Sequence, residues 1–174
     1  MKLNDSTVKI KISGSGNLFI LNNQFTPNPN KVYIDNDSQK DISYSYNLNE
    51  NNVVKLVWNQ PLTSCKSMFK SCVSIVEIKF FNFDTSQYND MSSMFSSCTI
   101  LKSLDLSSFV TSKVTTFSDM FASCYSLASI YVSNFYTTNA LNMEHMFSYC
   151  YGLKSIDLSS FNTQKVNYLD NMFS

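Results

Sequence analysis

The chain has 174 residues, of which 44% are hydrophobic and 15% charged, and its 13 basic and 13 acidic side chains give a formal net charge of +0. This composition is typical of a folded protein rather than a disordered one. Without a basic excess we expect no nucleic-acid partner and no polybasic membrane patch, and no apolar run is long enough to span a membrane.

The first part of the chain, residues 1–61, has no repeat, and its apolar and polar side chains alternate in short runs. The alternation predicts an all-β N-terminal domain that caps the array behind it. Residues 1–6 lack the apolar stretch of a secretory signal, so none is predicted there. Asn4 and Asn36 each begin a glycosylation sequon. The predicted strands are 7–12, 17–21, 31–34 and 53–58, with 44–46 as a possible fifth.

The second part, residues 62–174, repeats every 26 residues. Three residue types keep one phase, which predicts units that pack in register on their neighbours. The units begin near residues 65, 91, 117 and 143, and an incomplete one begins at 169. The recurring residues are the Met of a Met-Phe pair at 68, 94, 120, 146 and 172, the cysteines Cys72, Cys98, Cys124 and Cys150, and the phenylalanines Phe83, Phe109, Phe135 and Phe161.

Each unit is predicted to contain a short helix and a short strand. Phe117, Met120, Phe121 and Cys124 have the i, i+3, i+4, i+7 spacing of one helix face, and Thr116 precedes them as a residue favoured at N-caps. The following segment, 129–132, alternates apolar and polar residues, as a strand does. The pattern therefore predicts an α/β repeat solenoid behind an all-β cap.

The stretch 94–109 reads Met-Phe-Ser-Ser-Cys-Thr-Ile-Leu-Lys-Ser-Leu-Asp-Leu-Ser-Ser-Phe and resembles the BspA-like leucine-rich-repeat surface proteins. The resemblance covers about residues 62–174. It implies a leucine-rich-repeat-type solenoid, display at the cell surface or outside the cell, and a role in adhesion or protein–protein interaction. A cytoplasmic location is the alternative, because the chain shows no export signal.

The four in-phase cysteines Cys72, Cys98, Cys124 and Cys150 share the predicted helix face with Met and Phe, so we interpret them as a structural ladder of buried thiols. Disulfides between adjacent units are the alternative, because stacked units bring Cα atoms within bridging range. A 26-residue spacing with one His in the chain does not fit a zinc site. We therefore predict neither a metal nor a cofactor.

The solvent face of the predicted sheet is the candidate binding surface, since repeat proteins bind partners on such extended surfaces. No nucleophile or carboxylate recurs in phase with His145, so we expect a non-enzymatic binding module. Its ligand would be a protein or a glycan. The alternatives are an intracellular scaffold and a protein that self-associates end to end through an open C-terminal layer. The candidate residues are Glu77, Lys79, Phe81, Asp105, Tyr131 and Asp157.

Overall fold

The computed structural model describes residues 5–35 and 39–174, which form eight β-strands joined by turns and contain no helix. Asn4 and Asn36 of the two sequons lie outside these residues. Most of the segment 1–6, where no secretory signal is predicted, also lies outside them. The strands are β1 (Ser6–Ile12), β2 (Gly16–Phe19), β3 (Lys31–Ile34), β4 (Ser45–Leu48), β5 (Val53–Trp58), β6 (Ile75–Phe81), β7 (Ser103–Asp105) and β8 (Ser129–Tyr131).

The N-terminal strands lie close to the segments where alternation predicts them. Strands β1, β3 and β5 agree with the prediction to within a residue, and the ends of β2 and β4 differ from it by one or two residues. In β1, Val8, Ile10 and Ile12 are fully buried while Lys9 between them is exposed, because successive side chains of a strand point to opposite faces. The two-residue period therefore sets both the strand and its buried face.

A four-stranded antiparallel sheet joins the two parts of the chain. Its strand order is β3-β5-β1-β6, so the N-terminal strand β1 pairs with β5 on one side and with β6 of the first repeat on the other. Strands β2 and β4 form a separate antiparallel pair. One continuous cluster of buried residues extends from this region through the repeats.

The predicted α/β solenoid of the leucine-rich-repeat type is wrong, because the segments predicted as helices are chains of turns. Within 117–124, Met120 N–H donates to the Phe117 carbonyl and Cys124 N–H to the Phe121 carbonyl, each three residues back. Each 26-residue unit forms one coil, and the N–H groups between these donors bond to the next coil instead. Phe121 N–H, for example, donates to the Met146 carbonyl at 2.9 Å. An α-helix keeps these bonds within one segment, four residues apart. We call 117–124 and its equivalents 65–72, 91–98 and 143–150 the turn segments.

Left-handed residues explain why the turn segments are not helical. Asp119 and Ser123 have φ angles of 56° and 60°, and their equivalents in the other units are also positive. Such residues end a right-handed helix, and here they recur every four residues. Because turns of this kind also bury every third and fourth residue, the i, i+3, i+4, i+7 pattern does not distinguish them from a helix.

The predicted N-cap Thr116 and the residues at the same phase of the repeat take part in a different structure. Asp90, Thr116, Asn142 and Tyr168 form a line of isolated parallel bridges from one coil to the next. Side-chain oxygens of Asp90 and Asn142 accept backbone N–H groups two residues ahead, both at 2.8 Å. These are Asx-turns, which use the same short-range chemistry that makes Asp and Asn favourable N-caps.

The predicted strands of the repeat are mostly short. β7 and β8 pair in parallel with equivalent residues side by side, Ser103 opposite Ser129 and Asp105 opposite Tyr131. The fourth unit has no strand at 155–158, where one was predicted. We call residues 65–174 the repeat stack, since its coils are held together mainly by turn-to-turn hydrogen bonds.

Equivalent side chains pack on one another along the repeat stack. The rings of Phe95, Phe121 and Phe147 are stacked, with centroids 5.6 and 5.2 Å apart. Buried threonines add hydrogen bonds between coils: Thr85 Oγ1 donates to the Val110 carbonyl and accepts the Val110 N–H, and Thr111 does the same with residue 136. The 26-residue period thus corresponds to packing in register, although the local structure differs from the prediction.

Asn22 closes the N-terminal end of the repeat stack. Its backbone N–H donates to the Met68 carbonyl at 2.9 Å, and its side-chain amide donates to the Lys70 carbonyl at 3.1 Å. In the next coil the equivalent carbonyls, those of Met94 and Ser96, accept N–H groups of the preceding coil. Asn22 therefore supplies the two donors that a preceding coil would supply.

Candidate functional site

Five of the six predicted binding residues lie along one exposed surface. Glu77, Lys79 and Phe81 come from β6, Asp105 from β7 and Tyr131 from β8. The outward position of each follows from the alternation of its strand, in which Ile78, Leu104 and Ile130 point inward. Phe81 is 43% exposed and Tyr131 65% exposed. We call these five residues the β6–β8 patch.

A shallow depression of about 350 Å³ separates β6 from β7 within this patch. Its lining includes Glu77, Lys79 and Phe81 on one side and Asp105 and neighbouring serines on the other. Tyr131 lies one strand beyond it, paired with Asp105 across the parallel strands. The depression therefore has the Phe81 ring on one side and both signs of charge in its lining, and the Tyr131 ring follows on the next strand.

The charged groups of the patch are already partly engaged. Lys79 Nζ lies 2.6 Å from Glu77 Oε1. Asp105 Oδ1 accepts the Ser107 N–H at 2.9 Å, and this backbone bond, with the one to the Ser107 side chain, lowers the pKa of Asp105. Asp105 is thus a turn-forming residue as well as a surface charge.

Asp157 lies outside the β6–β8 patch. It lies within the segment 155–158 of the fourth unit, which forms no strand, so no β-ladder extends to it from Tyr131. Its Oδ1 accepts the Ser159 N–H at 2.9 Å, which makes the same turn as Asp105. The alternation that selected Asp157 as an outward residue therefore places an exposed side chain there, but not one on a strand.

The four in-phase cysteines have free thiols, and Cys72, Cys98 and Cys124 are fully buried. The Sγ atoms of Cys98, Cys124 and Cys150 lie 3.1–3.2 Å from the carbonyls of Phe69, Phe95 and Phe121 respectively, one coil back. Burial raises the pKa of Cys72 to about 12 and that of Cys150 to about 11, and it also raises the pKa of Cys98 and Cys124. At neutral pH these thiols are protonated donors and poor nucleophiles.

Other chemistry-bearing groups do not converge on a site. Over residues 5–35 and 39–174, no three His, Cys, Asp or Glu side chains lie close enough together to hold a metal ion. His145 is a left-handed turn residue whose Nε2 lies 3.6 Å from Glu144 Oε1 at the surface. The same described ranges contain no helix long and apolar enough to cross a bilayer.

A protein-family model described as "Mycoplasma protein of unknown function, DUF285" matches residues 63–174. The chain belongs to this family. The DUF285 match covers all four turn segments and β6–β8, and β1–β5 lie before it. The resemblance to BspA-like leucine-rich-repeat proteins is therefore wrong, since the matching family is a different one and the units lack the predicted helix. No curated protein and no solved structure matches the chain.

The DUF285 region also contributes one strand, β6, to a basic surface that the sequence does not reveal. On the outer face of the four-stranded sheet, Lys9 lies directly opposite Lys55 of β5 and directly opposite Lys79 of β6. Lys11 and Lys31 occupy the same face by alternation. We call these five residues the lysine face. Its signal in the sequence is only one or two Lys residues within each strand, because the cluster depends on how distant strands pair.

Proposed function

We propose that this protein is a non-enzymatic binding module that captures a protein partner on the β6–β8 patch. The supporting observation is that Phe81 of β6, at the edge of the depression between β6 and β7, and Tyr131 of β8, on the far side of β7, both remain exposed. Aromatic side chains that are solvated in the free protein and buried in a complex supply much of the binding energy at protein interfaces.

The charges around the depression favour a polar partner surface with an apolar centre. Lys79 and Glu77 pair with one another, so a partner can bind without leaving either charge unmatched. Three serines, Ser103, Ser107 and Ser108, line the other side and offer hydroxyl groups that both donate and accept hydrogen bonds. This arrangement is that of an aromatic anchor with a polar rim.

The state of the candidate nucleophiles supports the non-enzymatic part of the proposal. Cys98 and Cys124 face the core, and burial raises their pKa values. The side chain beside His145 at the surface is the carboxylate of Glu144, not a thiol or hydroxyl that His145 could activate. A nucleophilic enzyme requires an accessible group beside a base. A measurable hydrolase or transferase activity that depends on any of these residues would contradict this part of the proposal.

The test is a double substitution, Phe81→Ser with Tyr131→Ser, in the full chain. A partner recovered by crosslinking to a photoreactive group placed at Ser103 would be purified, and its affinity measured by calorimetry. We expect the double variant to lose more than 100-fold in affinity, since each aromatic anchor contributes about 2 kcal/mol. Denaturant unfolding followed by Trp58 fluorescence checks that the variant is folded.

The matched control is Phe19→Ser with Tyr136→Ser. Tyr136 is 64% exposed, nearly the same as Tyr131, and Phe19 is 47% exposed, close to Phe81, but both lie outside the patch. This control variant is expected to bind the partner as the wild type does. An equal loss of affinity in both variants, or unchanged binding by the patch variant, would dismiss the β6–β8 patch.

A further inference from the structure

The lysine face places like charges next to one another in a way that strands ordinarily avoid. Lys55, Lys9 and Lys79 form one row across three hydrogen-bonded strands, about 4.8 Å apart from strand to strand. Like charges directly opposite each other destabilise a sheet. The protein therefore carries an electrostatic cost here that a bound anion would remove.

Local contacts moderate this repulsion without neutralising it. Lys9 Nζ lies 5.6 Å from the centroid of the Phe81 ring, and Lys55 Nζ lies 5.4 Å from that of Tyr33. The carboxylates bordering the face already have partners: Glu77 pairs with Lys79, Asp105 beside Lys79 accepts the Ser107 N–H, and Asp35 accepts the Val53 N–H at 2.7 Å and a bond from the Asn52 amide. Five ammonium groups thus share a face with carboxylates that are already engaged.

The arrangement of the charges distinguishes between kinds of anion. The five lysines are spread over four neighbouring strands, with Lys31 on β3 and Lys11 beside Glu77 adding to the row of three. A linear polymer lying along one row would meet three of them, whereas a planar surface meets all five. The exposed apolar side chains of Val53 and Phe81 lie on the same face, where they would contact the boundary between headgroups and acyl chains.

The chemistry of the side chains supports the same choice. The sequence contains no arginine, so the face has no planar guanidinium for bidentate recognition of a phosphate or carboxylate. Single-stranded nucleic acids require open aromatic faces for base stacking, but the Phe81 and Tyr33 rings are each approached by a lysine ammonium. Compact point charges on a flat sheet respond to charge density, which an anionic bilayer surface provides.

We infer that the lysine face, formed by Lys9, Lys11, Lys31, Lys55 and Lys79, docks the protein onto the surface of a membrane rich in anionic lipids. The binding is peripheral and electrostatic, with Val53 and Phe81 at the contact. The inference goes beyond the protein-binding role of the β6–β8 patch and uses four lysines that lie outside that patch.

The experiment is co-sedimentation of the full chain with vesicles of phosphatidylcholine containing 30% phosphatidylserine, and with pure phosphatidylcholine vesicles as a reference. Binding is expected only to the anionic vesicles and is expected to weaken when salt is raised, because mobile ions screen exposed charges. Since one lysine near an anionic surface contributes about five-fold in partitioning, Lys9→Gln with Lys55→Gln should reduce binding about 25-fold.

The matched control is Lys113→Gln with Lys165→Gln, which removes the same charge from the repeat stack, where each lysine bonds to an amide oxygen. Its binding should fall less than two-fold. Equal loss in both variants, equal binding to neutral vesicles, or binding to a sulfated polysaccharide or single-stranded DNA but not to vesicles would overturn the inference. The Lys9/Lys55 variant relieves repulsion and should fold, and it keeps Phe81 and Tyr131, so failure of vesicle binding leaves the test of the β6–β8 patch independent.

Discussion

The N-terminal strands and the repeat stack satisfy their backbone polar groups in different ways. In the four-stranded sheet, antiparallel strands exchange hydrogen bonds along continuous ladders such as that between β1 and β5. In the repeat stack, each turn segment alternates bonds within its own coil with bonds to the next coil. Both regions bury one core, so the difference lies in the direction of the hydrogen bonds rather than in the amount of apolar burial.

This comparison shows that apolar spacing alone does not identify the local structure. The strands have a period of two because their side chains alternate between faces. The turn segments have the spacing of a helix, yet the left-handed residues Asp119 and Ser123 direct their N–H groups to the neighbouring coil. A residue type that tolerates positive φ, repeated in phase, is the more informative signal.

The largest expected effect comes from Phe121→Ala, which removes the middle ring of the stack formed with Phe95 and Phe147. We expect the free energy of unfolding to fall by about 3–5 kcal/mol, because the ring leaves a cavity in a close-packed core. Urea unfolding would be followed both by circular dichroism and by Trp58, the single tryptophan, which is buried in β5.

If the two regions form one cooperative unit, both signals shift together. The matched substitution in the sheet, Ile10→Ala in β1, should lower the same transition. A shift in circular dichroism with an unchanged Trp58 midpoint would show that the strands and the repeat stack unfold separately.

The second prediction concerns alkaline pH, because all five cysteines lie in the repeat stack. Burial raises the thiol pKa in the native state above the ordinary value of 9.0. Unfolded thiols lose protons above that pH while native ones retain them, so stability present below pH 9 is lost as pH rises. Each buried thiol contributes a loss of about 1.4 kcal/mol per pH unit. For Cys150, whose pKa rises to about 11, the loss ends near that pH.

The measurement compares Cys124→Ala with the wild type at pH 7 and pH 10. The variant should be less stable at pH 7, but its further loss at pH 10 should be smaller by about 1.4 kcal/mol. Met120→Ala removes buried volume from the same turn segment without removing a thiol, so it should keep the wild-type pH dependence. An identical loss in Cys124→Ala and the wild type would contradict the role of this thiol.

The smallest expected effect tests the turn structure directly. Ser123 has a φ angle of 60°, where glycine is tolerated and a Cβ atom is unfavourable. Ser123→Gly should therefore be more stable than Ser123→Ala by about 1 kcal/mol, whereas a helix would favour alanine by about the same amount. At the neighbouring Ala122, which is not left-handed, Ala122→Gly should destabilise. Denaturant midpoints decide the sign, and alanine being better at Ser123 would support a helix.

The sequence predicts local strands and the register of the repeats better than it predicts the path of the chain between them. Strand β1 follows from the alternation of Val8, Lys9 and Ile10, because one buried face is enough to specify it. The stacking of Phe95 on Phe121 follows from their 26-residue separation. The conformation of the turn segments does not follow from the sequence, since their apolar spacing is compatible with two backbone conformations that differ in hydrogen bonding.

The two candidate surfaces differ in the same way, because one depends on alternation within a strand and the other on how distant strands pair. Phe81 and Tyr131 were predicted as exposed because each alternates with buried neighbours within its own strand. The row of Lys55, Lys9 and Lys79 could not be predicted, because it requires β1 to lie between β5 and β6 in one particular register. A net charge of +0 conceals such a cluster when acidic residues lie elsewhere on the molecule.

Asn22 has a consequence for how arrays of this kind change in length. Asn22 donates hydrogen bonds only to the first coil. The later coils are joined to one another by equivalent backbone N–H and carbonyl groups, repeated every 26 residues. A duplication or deletion of one 26-residue block would regenerate an identical junction and leave the contact with Asn22 intact. The array can therefore gain or lose a coil without losing the two hydrogen bonds from Asn22, whereas replacing Asn22 removes the side-chain donor to the first coil.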